Sequence, residues 1–150
     1  MGLDRLRAFL RRHRRIALDT SIFIYQLKAN ARYLPLTDLV FSWIERPDSR
    51  AVTSTVTMTE LLVQPYQNSD EQRVDEFYGL LSTYPNLDWI APNLAIADLA
   101  ARLRALHRLR TPDALQAATA AHAGATALIT NDAAFERVDA FESLVLDRLL

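Results

Sequence analysis

The chain has no cysteine. That excludes disulfides, cysteine-ligated zinc and thiol nucleophiles, and nothing in the composition calls for an oxidising compartment. Its single lysine is Lys28, so no late-strand lysine is available for a receiver-type phosphoacceptor site. No apolar run approaches the roughly 20 residues of a membrane span. The N-terminus has no apolar stretch followed by a small-residue cleavage site. The expectation is a cytoplasmic protein without membrane contact. The three histidines, His13, His107 and His122, are too scattered to suggest a zinc site or a catalytic triad.

What is present is ordinary globular material. Over 150 residues, 50% are apolar and 23% charged, enough for one domain with a real core. The net charge of -1 hides an asymmetry: residues 1–15 hold six arginines against Asp4 alone, leaving about -6 for the rest. A basic arm beside an acidic body suits a protein that meets a polyanion and also holds cations. The sequence therefore divides into a basic N-terminal helical arm, 1–15, and a body, 16–150. Within residues 3–14, Leu3, Leu6, Phe9 and Leu10 share one helical face. The arm reads either as a helix docked on the body with a solvated basic face or as a nucleic-acid contact.

Along the body, apolar patterning predicts strands at 16–18, 51–55, 87–90, 125–130 and 144–146. Helices are predicted at 21–29, 35–45, 57–63, 69–82, 93–106, 112–123 and 133–138. Pro65 argues against continuing the 57–63 helix, and Gly124 stands where a helix cap belongs. Short apolar strands alternating with helices predict an α/β fold, a central parallel sheet of four to five strands covered on both faces.

Four acids recur where strand-like runs give way to helices: Asp19 after Ile16-Ala17-Leu18, Glu60 in Thr57-Met58-Thr59-Glu60, Asp113 after Thr111-Pro112, and Asp132 after Leu128-Ile129-Thr130-Asn131. Each has an ordinary reading. Asp19 can bond to a helix N-terminus. Glu60 fits a capping box with Thr57 as N-cap. Asp113 follows a proline at N1 and favours the helix dipole. Asp132 can be a plain N-cap. Together they predict a carboxylate cluster at the carboxyl ends of the strands, where ligands bind in parallel sheets. Clustered carboxylates repel one another, and hard cations with oxygen ligands, Mg²⁺ or Mn²⁺, offset that best. Such a cation polarises a phosphoryl oxygen and activates water. The hydroxyls of Thr20, Ser21 and Thr130 are placed to orient the carboxylates. Arg108 and Arg110 belong to a basic stretch with Arg102, Arg104 and His107. This stretch reads as a solvated face or as phosphate contacts near Asp113.

At these residues the chain resembles PIN-domain ribonucleases, particularly the VapC-type toxins of toxin–antitoxin pairs. The resemblance runs from Ile16 to about Leu146. It rests on Leu18-Asp19-Thr20-Ser21, Thr59-Glu60-Leu61, the stretch from Thr111 to Ala120, and Leu128 to Phe135. It implies a three-layer α/β/α fold and divalent-metal-dependent RNA cleavage by Asp19, Glu60, Asp113 and Asp132, leaving 5′-phosphate and 3′-hydroxyl ends. It also implies a homodimer and a cognate antitoxin as partner. Two features depart from the family pattern: Ser21 stands where many relatives have Asn, and the basic arm precedes the first strand.

Two other function classes compete. One is a PIN-like RNA- or protein-binding module with weak or no turnover, against which all four acids are retained. The other is a phosphatase or phosphoacceptor domain, but a haloacid-dehalogenase-like site needs a second Asp two residues after Asp19, where Ser21 stands. Within the nuclease reading, a toxin and a non-toxin RNA-processing enzyme are alternatives.

Overall fold

The computed structural model describes residues 1–150. Five strands form one parallel sheet: β1 (Arg15–Leu18), β2 (Arg50–Ser54), β3 (Leu87–Ile90), β4 (Ala127–Thr130) and β5 (Glu142–Val145). Their spatial order is β3-β2-β1-β4-β5, with Ile16 opposite both Ala51 and Ala127. The chain winds outward from β1 through β2 and β3, then returns to add β4 and β5 on the other side. The gap between the ends of β1 and β4 is the point where winding reverses, and there a parallel sheet leaves a crevice for ligands.

Period-two alternation divides the core into two layers. Ile16, Leu18, Ala51, Ala127 and Ile129 face one side. There they meet α1 (Gly2–Arg12), α2 (Thr20–Leu27) and α3 (Leu34–Ile44) through residues such as Phe9, Phe23 and Phe41. Ala17, Val52 and Leu128 face the other side. They pack on α6 (Leu94–His107) and the alanine-rich α7 (Thr111–His122). Small alanines at 114, 117, 118 and 120 let α7 lie close to the sheet. The result is the expected three-layer α/β/α arrangement.

Residues 2–12, read from sequence as an arm, lie on the body. Leu6, Phe9 and Leu10 are buried in the main core, and Arg5 donates to the Arg148 carbonyl at 2.9 Å. At the end of α1, His13 is fixed between Thr126 (2.8 Å) and Glu142 (2.9 Å).

Several boundaries differ from the sequence reading. α4 runs from Thr55 to Gln67, starting two residues early because the Ser54 hydroxyl accepts from Val56 N–H at 3.1 Å and caps it. The Thr57–Glu60 capping box therefore does not form. Thr57 is inside the helix and fully buried, with its hydroxyl 2.7 Å from that of Thr53. Pro65 lies within α4 rather than ending it; so near the C-terminus it removes a single backbone bond. α5 (Glu71–Ser82) is capped by Asp70. Strand β4 begins at Ala127 rather than Ala125, because the Ala125 N–H still closes on Ala120 of the preceding helix (2.9 Å). Gly124, at φ 74°, makes that exit. β5 lies at 142–145 rather than 144–146: Glu142 pairs with Ala127, and Leu146 already belongs to a 3-10 turn. The short helix at 133–138 is a 3-10 helix, Ala133–Arg137. No helix is long and apolar enough to cross a membrane.

Candidate active site

Asp19 is the first residue beyond β1 and the N-cap of α2. Its Oδ1 accepts from Ser21 N–H (2.9 Å) and the Ser21 hydroxyl (2.6 Å), and its Oδ2 accepts from the Thr130 hydroxyl. The side chain is buried and its only bonded partners are neutral. Burial pushes its carboxyl from the ordinary 3.8 up to about 6, against the lowering effect of the Ser21 and Thr130 bonds. The Thr130 hydroxyl also accepts from Asp132 N–H at 3.0 Å, tying the ends of β1 and β4 together across the reversal point.

Asp132 caps the 3-10 helix by accepting from Ala134 N–H at 2.9 Å. Glu60, exposed on α4, accepts from the Thr20 hydroxyl at 2.6 Å. Asp113, in the first turn of α7, takes the Arg110 Nε on its Oδ2 at 3.2 Å. Partial burial raises the Asp113 carboxyl; Arg110 opposes this, while Asp132 and Glu60 reinforce it. The same acids, Asp113 foremost, hold the Arg110 guanidinium above its usual value.

All four predicted acids line one cleft of about 340 Å³, together with Thr20, Ser21 and Arg110. The three hydroxyls read from sequence as orienting groups do orient: Ser21 and Thr130 hold Asp19, and Thr20 holds Glu60. Arg108 is different. It ends α6 in a left-handed conformation (φ 56°), is exposed, and does not line the cleft. Among acids outside the cleft, Asp98 and Glu136 pair with Arg102 (3.3 Å) and Arg148 (2.6 Å).

As the side chains stand, no three of the acids close around a common point tightly enough to hold an ion. The carboxylates repel one another, and each has turned to a local donor. The donor set nevertheless fits a hard divalent cation. It is all oxygen, with no sulfur or imidazole, and Arg110 is the only cation lining a cleft that holds four carboxylates.

Three cleft residues were not singled out by sequence reasoning. Gln116, buried in α7, donates to the Thr57 hydroxyl at 2.7 Å and accepts from Ser54 N–H at 3.4 Å, fastening α7 to the start of α4. Asn131 donates to the Tyr25 hydroxyl at 2.9 Å, and its Oδ1 accepts from Asp147 N–H at 2.8 Å, holding the loop that carries Asp132. A buried polar residue on an otherwise apolar helix face was the one available signal for Gln116. Tyr25 and Asn131 gave none, because their partner lies 106 residues away.

No curated protein matches the sequence. Solved structures resemble the chain at the level of fold. VapBC-1 from nontypeable Haemophilus influenzae superposes with a TM-score of 0.68 at 22% identity, covering 89% of this chain and 98% of that one. VapBC2 from Rickettsia felis, bound to a DNA fragment from its promoter, gives 0.66 at 18%, covering 87% and 98%. VapBC-5 from Mycobacterium tuberculosis gives 0.58 at 24%, covering 88% and 98%. Residues 16–141 match the PIN domain, a span that includes all four acid-bearing junctions described above, and the chain belongs to that family.

Proposed function

We propose that this cleft hydrolyses RNA phosphodiester bonds with the help of Mg²⁺ or Mn²⁺, and that the protein is the toxin of a toxin–antitoxin pair. PIN domains are nucleases, which supports hydrolysis. The observation that carries the reading further is the charge balance of the cleft: four carboxylates face one arginine at the reversal point of the sheet.

Asp19, Glu60, Asp113 and Asp132 would hold the cation. When bound, it supplies a Lewis acid for a phosphoryl oxygen and neutralises developing negative charge. The protein's own groups do the rest. Ser21 and Thr130 keep Asp19 in one orientation, and Thr20 does the same for Glu60. Arg110, exposed at the rim, is free to turn from Asp113 to a non-bridging phosphate oxygen. Glu60 or Asp113 would take a proton from the attacking water; at rest Arg110 contacts only Oδ2 of Asp113.

The toxin role and an antitoxin partner are supported by the structural neighbours, several of which are VapBC or toxin–antitoxin complexes; a homodimer rests on the family resemblance alone. The test is cleavage of a pool of structured and single-stranded RNAs by wild type and Asp113→Asn, with Mg²⁺, with Mn²⁺ and with EDTA. Metal-dependent cleavage that falls by about 10²-fold or more in folded Asp113→Asn is the expected result. Equal cleavage by both proteins sinks the assignment. Absence of cleavage by folded wild type favours a binding module. Growth arrest on expression, relieved by the product of an adjacent gene, separates a toxin from an RNA-processing enzyme.

A further inference from the structure

Beside the catalytic cleft lies a second cavity of about 380 Å³, formed by α2, α4 and α5. The two share Ile24 and Glu60 as a common wall. Its size falls in the range of about 300–1,000 Å³ typical of small-ligand sites. Most of its lining is polar, which an apolar helix would not fill. Phe77, partly buried, offers the one aromatic face. The Arg73 guanidinium stands 5.9 Å from that ring's centre.

Three further features suit this cavity to a polar ligand that carries both donors and a phosphate, with Lys28 as its one unpaired cation and Glu60 at the wall shared with the catalytic cleft. Lys28, the chain's only lysine, donates to Gln64 Oε1 at 2.8 Å and is in no ion pair. Asp70 accepts from Arg73 N–H at 3.1 Å and faces Arg73 Nε at 3.8 Å, so these two charges offset each other. Pro65, lacking an N–H, leaves the Leu61 carbonyl without its usual helical donor, and both residues line the cavity.

The geometry points to a nucleotide subsite. The base next to the scissile phosphate stacks on Phe77, its edge meets the amides of Gln64 and Asn68, and the following phosphate meets Lys28. This rests on the nuclease reading of the adjoining cleft, whose shared wall at Glu60 makes the neighbouring nucleotide the natural occupant. Aromatic stacking with flanking cations is how single-stranded nucleic acid is generally held. The subsite gives the enzyme a sequence preference at one position beside the cut.

Two measurements test it. The first is anisotropy of a fluorescein-labelled single-stranded RNA hexamer in EDTA, over a salt series. The second is end-sequencing of a random single-stranded RNA pool after cleavage with Mn²⁺. Phe77→Ala should bind about tenfold more weakly and lose base preference at one position adjacent to the cut. Phe77→Leu, which keeps the apolar filling, should lose the same preference, and Phe77→Tyr should restore it. Lys28→Ala should keep the base preference but lower the slope of log affinity against log salt by about 0.7. Wild-type binding and preference in the folded Phe77 and Lys28 variants overturns the subsite, and a loss confined to binding of a protein partner overturns it in favour of a peptide site. If wild type does not cleave at all, the nuclease reading fails. The subsite then stands or falls on whether Phe77→Leu weakens hexamer binding.

Discussion

Asp19→Asn at neutral pH should make the metal-free protein more stable. In the folded state burial holds the Asp19 carboxyl at about 6, against an ordinary value of 3.8. At about 1.36 kcal/mol per pKa unit, ionising it in place costs roughly 3 kcal/mol. Because the folded value is the higher one, that penalty is complete above about pH 6 and disappears below about 3.8, so the wild type gains stability from this group as pH falls through the window. Asparagine caps a helix as well as aspartate, and its oxygen can keep both Ser21 bonds. The Thr130 hydroxyl loses an acceptor, at about 1 kcal/mol. The net gain at pH 7.5 is about 2 kcal/mol, or about 4–8 °C in Tm for a chain of this length. Calorimetry in EDTA at pH 7.5 and 4.5 checks it: the variant's advantage should be present at the first pH and shrink at the second. Mg²⁺ or Mn²⁺ should reverse the order at pH 7.5 by stabilising wild type alone, by about 2.7 kcal/mol at a hundredfold excess over Kd. A variant that is less stable than wild type by the same margin at both pH values would refute the reasoning and leave Asp19 as a well-accommodated helix cap.

Gln116→Leu should cost about 1–3 kcal/mol in urea melts, because it leaves the buried Thr57 hydroxyl and Ser54 N–H short of a partner. Arg110→Ala should move two readouts in opposite directions. The Mn²⁺-induced Tm shift should grow, since a competing cation has left Asp113, while affinity for RNA in EDTA should fall. Glu142→Gln should speed amide exchange across α1, which Arg12 and His13 tie to β5 (2.5 and 2.9 Å), with a change in global stability under about 1 kcal/mol because the Arg12 pair is exposed.

The layer order and all five strands were legible because their signal is local. Ile16-Ala17-Leu18 and Leu128-Ile129-Thr130 are short apolar runs bounded by polar residues, and β3 falls at 87–90 as read. The α4 boundaries were not legible. Ser54 and Thr57 are equally good caps in isolation, and the choice is made by Gln116 and Thr53, which claim the Thr57 hydroxyl from other elements. Pro65 misled for a related reason: it is buried within α4, and that burial offsets one missing backbone bond. The four acids were legible as a set, since each follows a readable junction. The orienting hydroxyls were legible too, but which hydroxyl meets which acid was not, because Thr20–Glu60 and Thr130–Asp19 span 40 and 111 residues. Arg108 and Arg110 show the limit most sharply. Two residues apart in one basic stretch, they differ only in that Arg110 stands at the entry to α7 and faces the acids, whereas Arg108 turns away in a left-handed cap.

Topology explains why this set of acids and no other forms the site. Asp19 follows β1, the centre of the sheet; Glu60 lies in the helix that follows β2; and Asp132 follows β4. These three strands are neighbours, and α7, which carries Asp113, leads into β4. The edge strands contribute nothing comparable. β3 ends at Ile90 and runs through Ala91-Pro92 into the Asn93 cap without an acid. The acid after β5, Asp147, is taken by the Tyr33 hydroxyl at 2.7 Å and faces Arg32 at 3.9 Å. An acid at a strand end is therefore not sufficient: Asp147 is matched by Arg32 and Tyr33 before α3, whereas the four acids at the central strands meet a single arginine, Arg110. By that criterion the cleft is the one place in the sheet where carboxylate charge is left in excess, and a divalent cation bound there would relieve a repulsion the fold already carries.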